Sequence, residues 1–344
     1  MRIVVDGMGG DNAPKAIVGG VVEAINEFNV EIAITGDKEL LEQEFADYEF
    51  DRSKLEIIHT TEVIENEDKP VQAIRRKKDS SMVVALNLVK ENKADAIVSA
   101  GSTGALLTGA TLIVGRIKGI DRPCLCPCMP NIKGGMTIIA DSGANADCKP
   151  RNLSEFAMMS NIYLKKVLGM ENPRIGLGNI GSEEGKGNEL VKSAYNELKT
   201  MDLNFVGNIE GRDVIESKAD VIVCDGFTGN IMLKTCEGVA MGMMKLIKET
   251  LMSSFKGKLG ALLIKEDMRK LKAFLDYSEY GGAPFLGVKG GVIKAHGSSN
   301  SKAIKNAIKQ AINFTEGNVV EDIETYILSK KEDEKKQENK TEDK

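Results

Sequence analysis

The residues best suited to chemistry in this chain sit in glycine-rich turns. Lys186 lies between Gly185 and Gly187 in SEEGKGNEL (182–190), and Asn230 follows Gly229 in DGFTGN (225–230). A lysine held between glycines can reach into a crevice and neutralise developing negative charge. An asparagine amide can donate to an oxyanion while accepting another bond. Around them Asp6, Gly7, Ser102, Thr103, Gly104, Asn145, Thr228 and Gly229 offer small hydroxyls, amides and open backbone, residue types that suit an inorganic phosphate. His296, in KAHGSSN (294–300), stands just before a helix-like run at 301–311 and is a further candidate anion or substrate contact. If these turns converge, the chemistry they support is attack by a bound oxyanion, with a cation and an amide to balance charge.

Other chemistries find less support. Gly7, Gly9 and Gly10 follow the first strand-like run, but Asp11 stands where a pyrophosphate would lie. Gly176, Gly178 and Gly181 do spell G-x-G-x-x-G, yet Ser182, Glu183 and Glu184 come next, and carboxylates at that mouth repel a diphosphate. No Walker A motif and no G-x-S-x-G elbow is present. Cys124, Cys126 and Cys128 alternate in CLCPCMP; zinc sites favour Cys-x-x-Cys pairs, so no metal is expected. His59 ends the strand-like LEIIHT and reads as structural. No cofactor is expected.

The turns need a frame. Each follows a short β-branched run: Arg2–Val5, Ala96–Ser99, Thr137–Ala140, Arg174–Leu177, Phe205–Val206 and Val221–Cys224. Runs this short and apolar read as strands buried on both faces of a parallel sheet. Amphipathic stretches lie between them. Pro14–Glu27 sets Ile17, Val18, Val21, Val22 and Ile25 on one face behind Asp11 or Asn12 as a cap, and Ser80–Lys90 and Asn188–Leu198 follow the same rule. The segments ADAIVSAGSTG (94–104) and ADVIVCDGFTG (219–229) match at seven of eleven positions, both a strand ending in a Gly-x-Thr-Gly turn. The prediction is an α/β fold, a Rossmann-like, doubly wound, mostly parallel sheet, with ligands at the carboxyl ends of its strands.

Composition sets the outer bounds. The chain has 344 residues, 42% apolar and 28% charged, with a formal net charge of −5 and no tryptophan. That is ample for a buried core, and a broad basic surface for nucleic acid is not expected. Six cysteines in a chain too large to need staples favour reduced thiols in a cytosol. The opening MRIVVDGMGG is too short an apolar run for a signal peptide, and no stretch approaches the roughly 20 apolar residues of a membrane span. Residues 1–328 are expected to form one catalytic domain, followed by a mobile charged tail at 329–344 with six lysines and six acids. Within 231–280, two long helices are expected to meet at a turn near Gly257 and Gly260. Leu259, Leu262, Leu263 and Ile264 would lie at its tip among Lys256, Lys258 and Lys265, a pattern for shallow membrane docking or for dimer packing.

VDGMGGDNAP, PVQAIRRKKDSSM, SAGSTGALL, ADSGAN, NIGSEEGKGNEL, NIEGRD, CDGFTGN and KAHGSSN run in order over nearly the whole chain. In this it resembles the bacterial phosphate acyltransferase (PlsX) family. The resemblance implies a homodimer related in architecture to isocitrate and isopropylmalate dehydrogenases. It would move a long-chain fatty acyl group from acyl carrier protein to inorganic phosphate. The acyl phosphate would then serve phospholipid synthesis through a membrane glycerol-3-phosphate acyltransferase (PlsY). The family's catalytic lysine and asparagine fall on Lys186 and Asn230. The resemblance also implies a cytoplasmic, peripherally membrane-associated protein. Acyl carrier proteins resemble small acidic helical bundles, so Arg75, Arg76, Lys77 and Lys78 become a candidate landing surface. The alternatives are an acyltransferase using coenzyme A thioesters and an NAD-dependent decarboxylating dehydrogenase.

Overall fold

The computed structural model describes the backbone of residues 1–275 and 281–342, and side chains within those ranges as far as residue 332. Its strands are β1 (Arg2–Asp6), β2 (Glu31–Gly36), β3 (Leu55–His59), β4 (Ala96–Ser99), β5 (Cys124–Leu125) and β6 (Cys128–Pro130). They continue with β7 (Met136–Ala140), β8 (Arg174–Asn179), β9 (Asn204–Glu210), β10 (Val221–Val223), β11 (Ala283–Leu286) and β12 (Gly291–Lys294). The helices are α1 (Lys15–Phe28), α2 (Lys38–Phe45), α3 (Pro70–Arg76), α4 (Ser81–Lys90), α5 (Thr103–Gly109) and α6 (Pro150–Val167). After them come α7 (Glu189–Thr200), α8 (Gly226–Met252), α9 (Phe255–Leu263), α10 (Lys265–Leu275), α11 (Ser301–Glu316) and α12 (Val319–Glu342).

The α/β class and the mostly parallel pairing agree with the sequence reading, but the strands are divided between two sheets. One has the order β3-β2-β1-β4-β12-β11-β5 and the other β6-β7-β10-β8-β9. In each, a parallel set of strands ends at one edge in antiparallel pairing. The split occurs in the cysteine segment. Cys126 N donates to Pro284 O at 3.1 Å beside the first sheet, whereas Pro127 O accepts from Ile139 N at 3.1 Å in the second. Proline has no N–H to continue the first ladder, so the chain crosses there. Cys124 and Cys126 are buried with their sulfurs 3.5 Å apart, packed as small apolar groups.

Helices cover both faces, which is why the strands are apolar throughout. On one face of the first sheet, Ile17, Val18, Val21 and Val22 of α1 meet Ile304, Ala307, Ile308 and Ala311 of α11. On the other, Met82, Val83 and Leu86 of α4 pack with Ala105 and Leu106 of α5. Helix α6 ties the sheets together: Phe156, Met159 and Tyr163 are fully buried, and Gln310 of α11 donates a hydrogen bond to the Tyr163 hydroxyl.

Three local expectations are revised. Asn12 does not cap α1; its amide donates to Ser298 O and Ser299 O at 3.1 and 3.2 Å, stitching the first glycine turn to the last. The 231–280 segment is three helices rather than two. Ser254 accepts from Gly257 N at 3.0 Å and starts α9, so the breaks fall at Ser253–Ser254 and Ile264 while Gly257 and Gly260 lie inside α9. A serine cap is the stronger boundary signal. Residues 276–280, the end of that segment, lie outside the described residues. The charged run from Ser329 continues α12 as far as Glu342 instead of leaving it, consistent with the helix propensity of lysine and glutamate; residues 343 and 344 are not described.

Candidate active site

The glycine turns all leave the carboxyl ends of parallel strands, and several meet over one cavity of about 270 Å³. Thr103 enters it from the start of α5, Ser142 and Gly143 from the loop after β7, Asn230 and Lys234 from the first turns of α8. Lys294 and His296 enter from the end of β12. Asn230 is held there by its helix. Asp225 caps α8, accepting from Thr228 N at 2.8 Å, and Gly229 lets the helix seat on β7, since a Cβ there would lie 1.9 Å from Asp141 O. The loop opposite is braced by Asp141, whose carboxylate accepts from the backbone of Leu125 and Asn145 and from the Asn145 amide. Burial pushes the Asp141 carboxyl up to about 6.

The electrostatic centre of this cavity is Lys294. It is 9% exposed, and its ammonium donates to Ala100 O at 3.2 Å and to Ala295 O. An ammonium has three N–H donors, so one is left for whatever the cavity holds. Burial lowers its pKa to about 8, with Asp6 and Asp11 pulling the other way. Nearby, the Ser142 hydroxyl is buried with no hydrogen-bond partner among the described residues, and Lys234 pairs with Glu237 at 2.8 Å. His296 accepts from Ser298 N at Nδ1; partial withdrawal from water, then Lys234, holds its pKa below the usual imidazole value. A buried lysine with a spare donor in the same cavity as an unsatisfied hydroxyl can hold an anion.

Of the sequence candidates, Thr103, Asn230 and His296 line this cavity. Others serve to hold the loops. Both oxygens of buried Asp6 accept from serines, Ser81 Oγ and Ser99 Oγ at 2.6 Å each, and burial raises its carboxyl despite them. Gly7 N donates to Thr35 O at 2.8 Å. The Asn145 amide donates to Pro123 O and Asp141, turned away from the cavity. Gly104 packs against Pro70, and Ser102 precedes α5 as its N-cap. Thr228 bonds Asp225 and faces a second cavity of about 520 Å³ across α8. Lys186 does not join Asn230. Its side chain is exposed on the loop after β8, next to Gly187 and Asn188 at that second cavity. Among the described residues, no cluster of three or more histidine, cysteine or acidic side chains could hold a metal ion.

The model of the family described as fatty acid synthesis protein matches residues 1–322. A phosphate acyltransferase of Clostridioides difficile is 69% identical over 339 residues, covering 98% of this chain and all of that one. The chain belongs to the phosphate acyltransferase family. As a member of that family it is an acyltransferase. Two solved structures share its fold. A phosphotransacetylase from Streptococcus pyogenes has a TM-score of 0.61 at 17% identity, covering 93% of this chain and 94% of that one. A 4-hydroxythreonine-4-phosphate dehydrogenase from Klebsiella pneumoniae has a TM-score of 0.51 at 14% identity, covering 92% and 99%.

For this acyltransferase, sequence reasoning missed Lys294 and Ser142. Lys294 closes the apolar run GVIK, where a terminal lysine ordinarily reaches solvent; only its place beside Asp6 shows it turning inward. The same holds at the candidate landing cations. Arg75, Arg76 and Lys78 are exposed, but Lys77 is half-buried in an ion pair with Asp68 at 2.6 Å. Leu259, Leu262 and Leu263 are exposed on α9, with Ile264 just after it. Among the described residues no helix is long and apolar enough to cross a membrane.

Proposed function

We propose that this chain transfers a long-chain acyl group from acyl carrier protein to inorganic phosphate in the cavity beside Lys294. The observation that carries this reading is the buried ammonium facing a small cavity in an acyltransferase: a charge that costs stability has an anion to meet there. Phosphate at neutral pH is already a nucleophile, so positioning and charge balance are the main requirements. A phosphate oxygen attacks the thioester carbonyl carbon, and negative charge develops on the carbonyl oxygen. The carbon–sulfur bond then breaks, and the departing thiolate takes a proton from water. In this reading Lys294, Ser142 and Thr103 hold the phosphate, and the Asn230 amide donates to the carbonyl oxygen. Lys186, exposed outside the cavity beside the second one, takes no part in holding the phosphate in this reading.

The exposed helices fit the same reading. Only Gly226 and Gly229 of the 27 residues of α8 are buried, which suits pairing with a second copy in a homodimer. The α9 leucines among lysines suit shallow contact with a membrane, where a membrane glycerol-3-phosphate acyltransferase would consume the product. Incubating the protein with acyl carrier thioester or coenzyme A thioester and labelled phosphate tests the reaction. Label should enter a hydroxylamine-reactive product, with the carrier as preferred donor. A product formed without phosphate incorporation would overturn the reading.

A further inference from the structure

A third cavity, of about 380 Å³, opens on the outer side of the loop that walls the phosphate cavity. Val71 of α3, Leu107 of α5, Leu112, Arg116 and Arg122 line it, and Ala144 and Asn145 close its inner end. Its rim is apolar and cationic at once. Val71 and Leu112 are 47% and 55% exposed, and with Leu107 they put apolar surface at the mouth of one cavity. Leu112 comes outward in the π-helical turn Ala110–Val114, whose end residues Ala110 and Val114 are buried; such turns often mark functional positions. Arg75 lies one turn beyond Val71 on α3, on the same face. Arg75, Arg116 and Arg122 are all exposed. Among the described residues the only acid lining the cavity, Asp121, is already held by Asn152 at 2.8 Å and by Arg116.

We infer that this groove is the docking site for an acidic helix of the acyl carrier protein. The inference rests on the proposed acyl-carrier donor. Charge complementarity selects the occupant: the chain as a whole is net −5, yet this notch gathers arginines around an apolar centre. That arrangement fits an amphipathic helix with acidic flanks and repels most of this protein's own surface. Position supports it as well. Ser142 and Gly143 wall the phosphate cavity while Ala144 and Asn145 wall the groove. Thr103 and Leu107, one turn apart on α5, divide in the same way. A carrier seated here lies one loop from Asn230, so its flexible thioester arm has a short path to the phosphate. The sequence run 75–78 therefore marks only one edge of the surface.

The test uses Arg122→Glu and Leu112→Ser, both at exposed positions, and Arg75→Glu as a third variant, each checked for unchanged melting. Binding of long-chain acyl-loaded carrier protein is measured directly by fluorescence anisotropy, and kinetics are run with carrier-bound and coenzyme A-bound acyl donors. The expected result is carrier affinity weakened about tenfold or more by Arg122→Glu, with a carrier KM that rises with salt and an unchanged rate on the coenzyme A donor. Carrier affinity unchanged in all three variants, or an equal loss with both donors, overturns the docking site. If the wild-type protein binds carrier through this groove but forms no acyl phosphate, the proposed reaction fails while the docking surface stands.

Discussion

Lys294 concentrates the physics of the site. Its pKa of about 8, against 10.5 for the free side chain, means the folded protein binds fewer protons than the unfolded chain between those values. Stability therefore rises with pH across that window, and below about pH 8 the buried charge costs on the order of 3 kcal/mol. Lys294→Met should consequently leave the melting temperature at pH 7 equal or higher, while activity falls by about 10²–10³; a large drop in melting temperature would show a structural role instead. Activity runs the other way with pH. The anion needs the ammonium form, so kcat/KM for phosphate should fall as pH rises through about 8, whereas a flat profile to pH 10 would remove Lys294 from phosphate binding. Asn230 and Thr103 were legible in the sequence because a Gly-x-Thr-Gly turn after an apolar run places them at a strand's carboxyl end. Lys294 was not, because nothing local distinguishes an inward lysine at a strand end from an outward one. Asp6, Gly7 and Asn145 show the converse: the residue types of an anion cradle also brace loops, and only their partners tell which.

At the scale of elements, the site depends on how α8 starts. Gly229 sits where any Cβ would meet Asp141 O at 1.9 Å, and Asp141 in turn braces the loop carrying Ser142. Gly229→Ala should destabilise the protein by about 1–3 kcal/mol and lower activity further than that loss explains, because Asn230 and Ser142 move apart together. Chemical denaturation alongside kinetics checks this, and an unperturbed variant would mean the helix end is looser than described. Strands β1, β4, β7, β8, β9 and β10 were readable from their β-branched runs, and β4 falls where the sequence put it, at Ala96–Ser99. The division into two sheets was not readable. It is made by β5 and β6, two and three residues long, too short for any periodicity, and by a proline whose effect depends on which ladder it interrupts.

Across the whole molecule, an acidic chain sets two exposed apolar surfaces, each with cations near it, in separate places. Leu262 and Leu263 are 67% and 80% exposed on α9, far from the arginine-rimmed groove beside α3 in the chain. Leu262→Glu should release the protein from anionic vesicles in a flotation assay without loss of activity on soluble donor; retention on the vesicles would assign that face to another contact. The central claim, that Lys294 faces a phosphate in the cavity it shares with Asn230, is tested most directly by titrating inorganic phosphate into the wild-type protein and into Lys294→Ala at pH 7 in a calorimeter. Saturable binding to one site, weakened at least tenfold by the substitution, is the expected result. Equal affinity in both proteins, or no saturable site in the wild type, would contradict it.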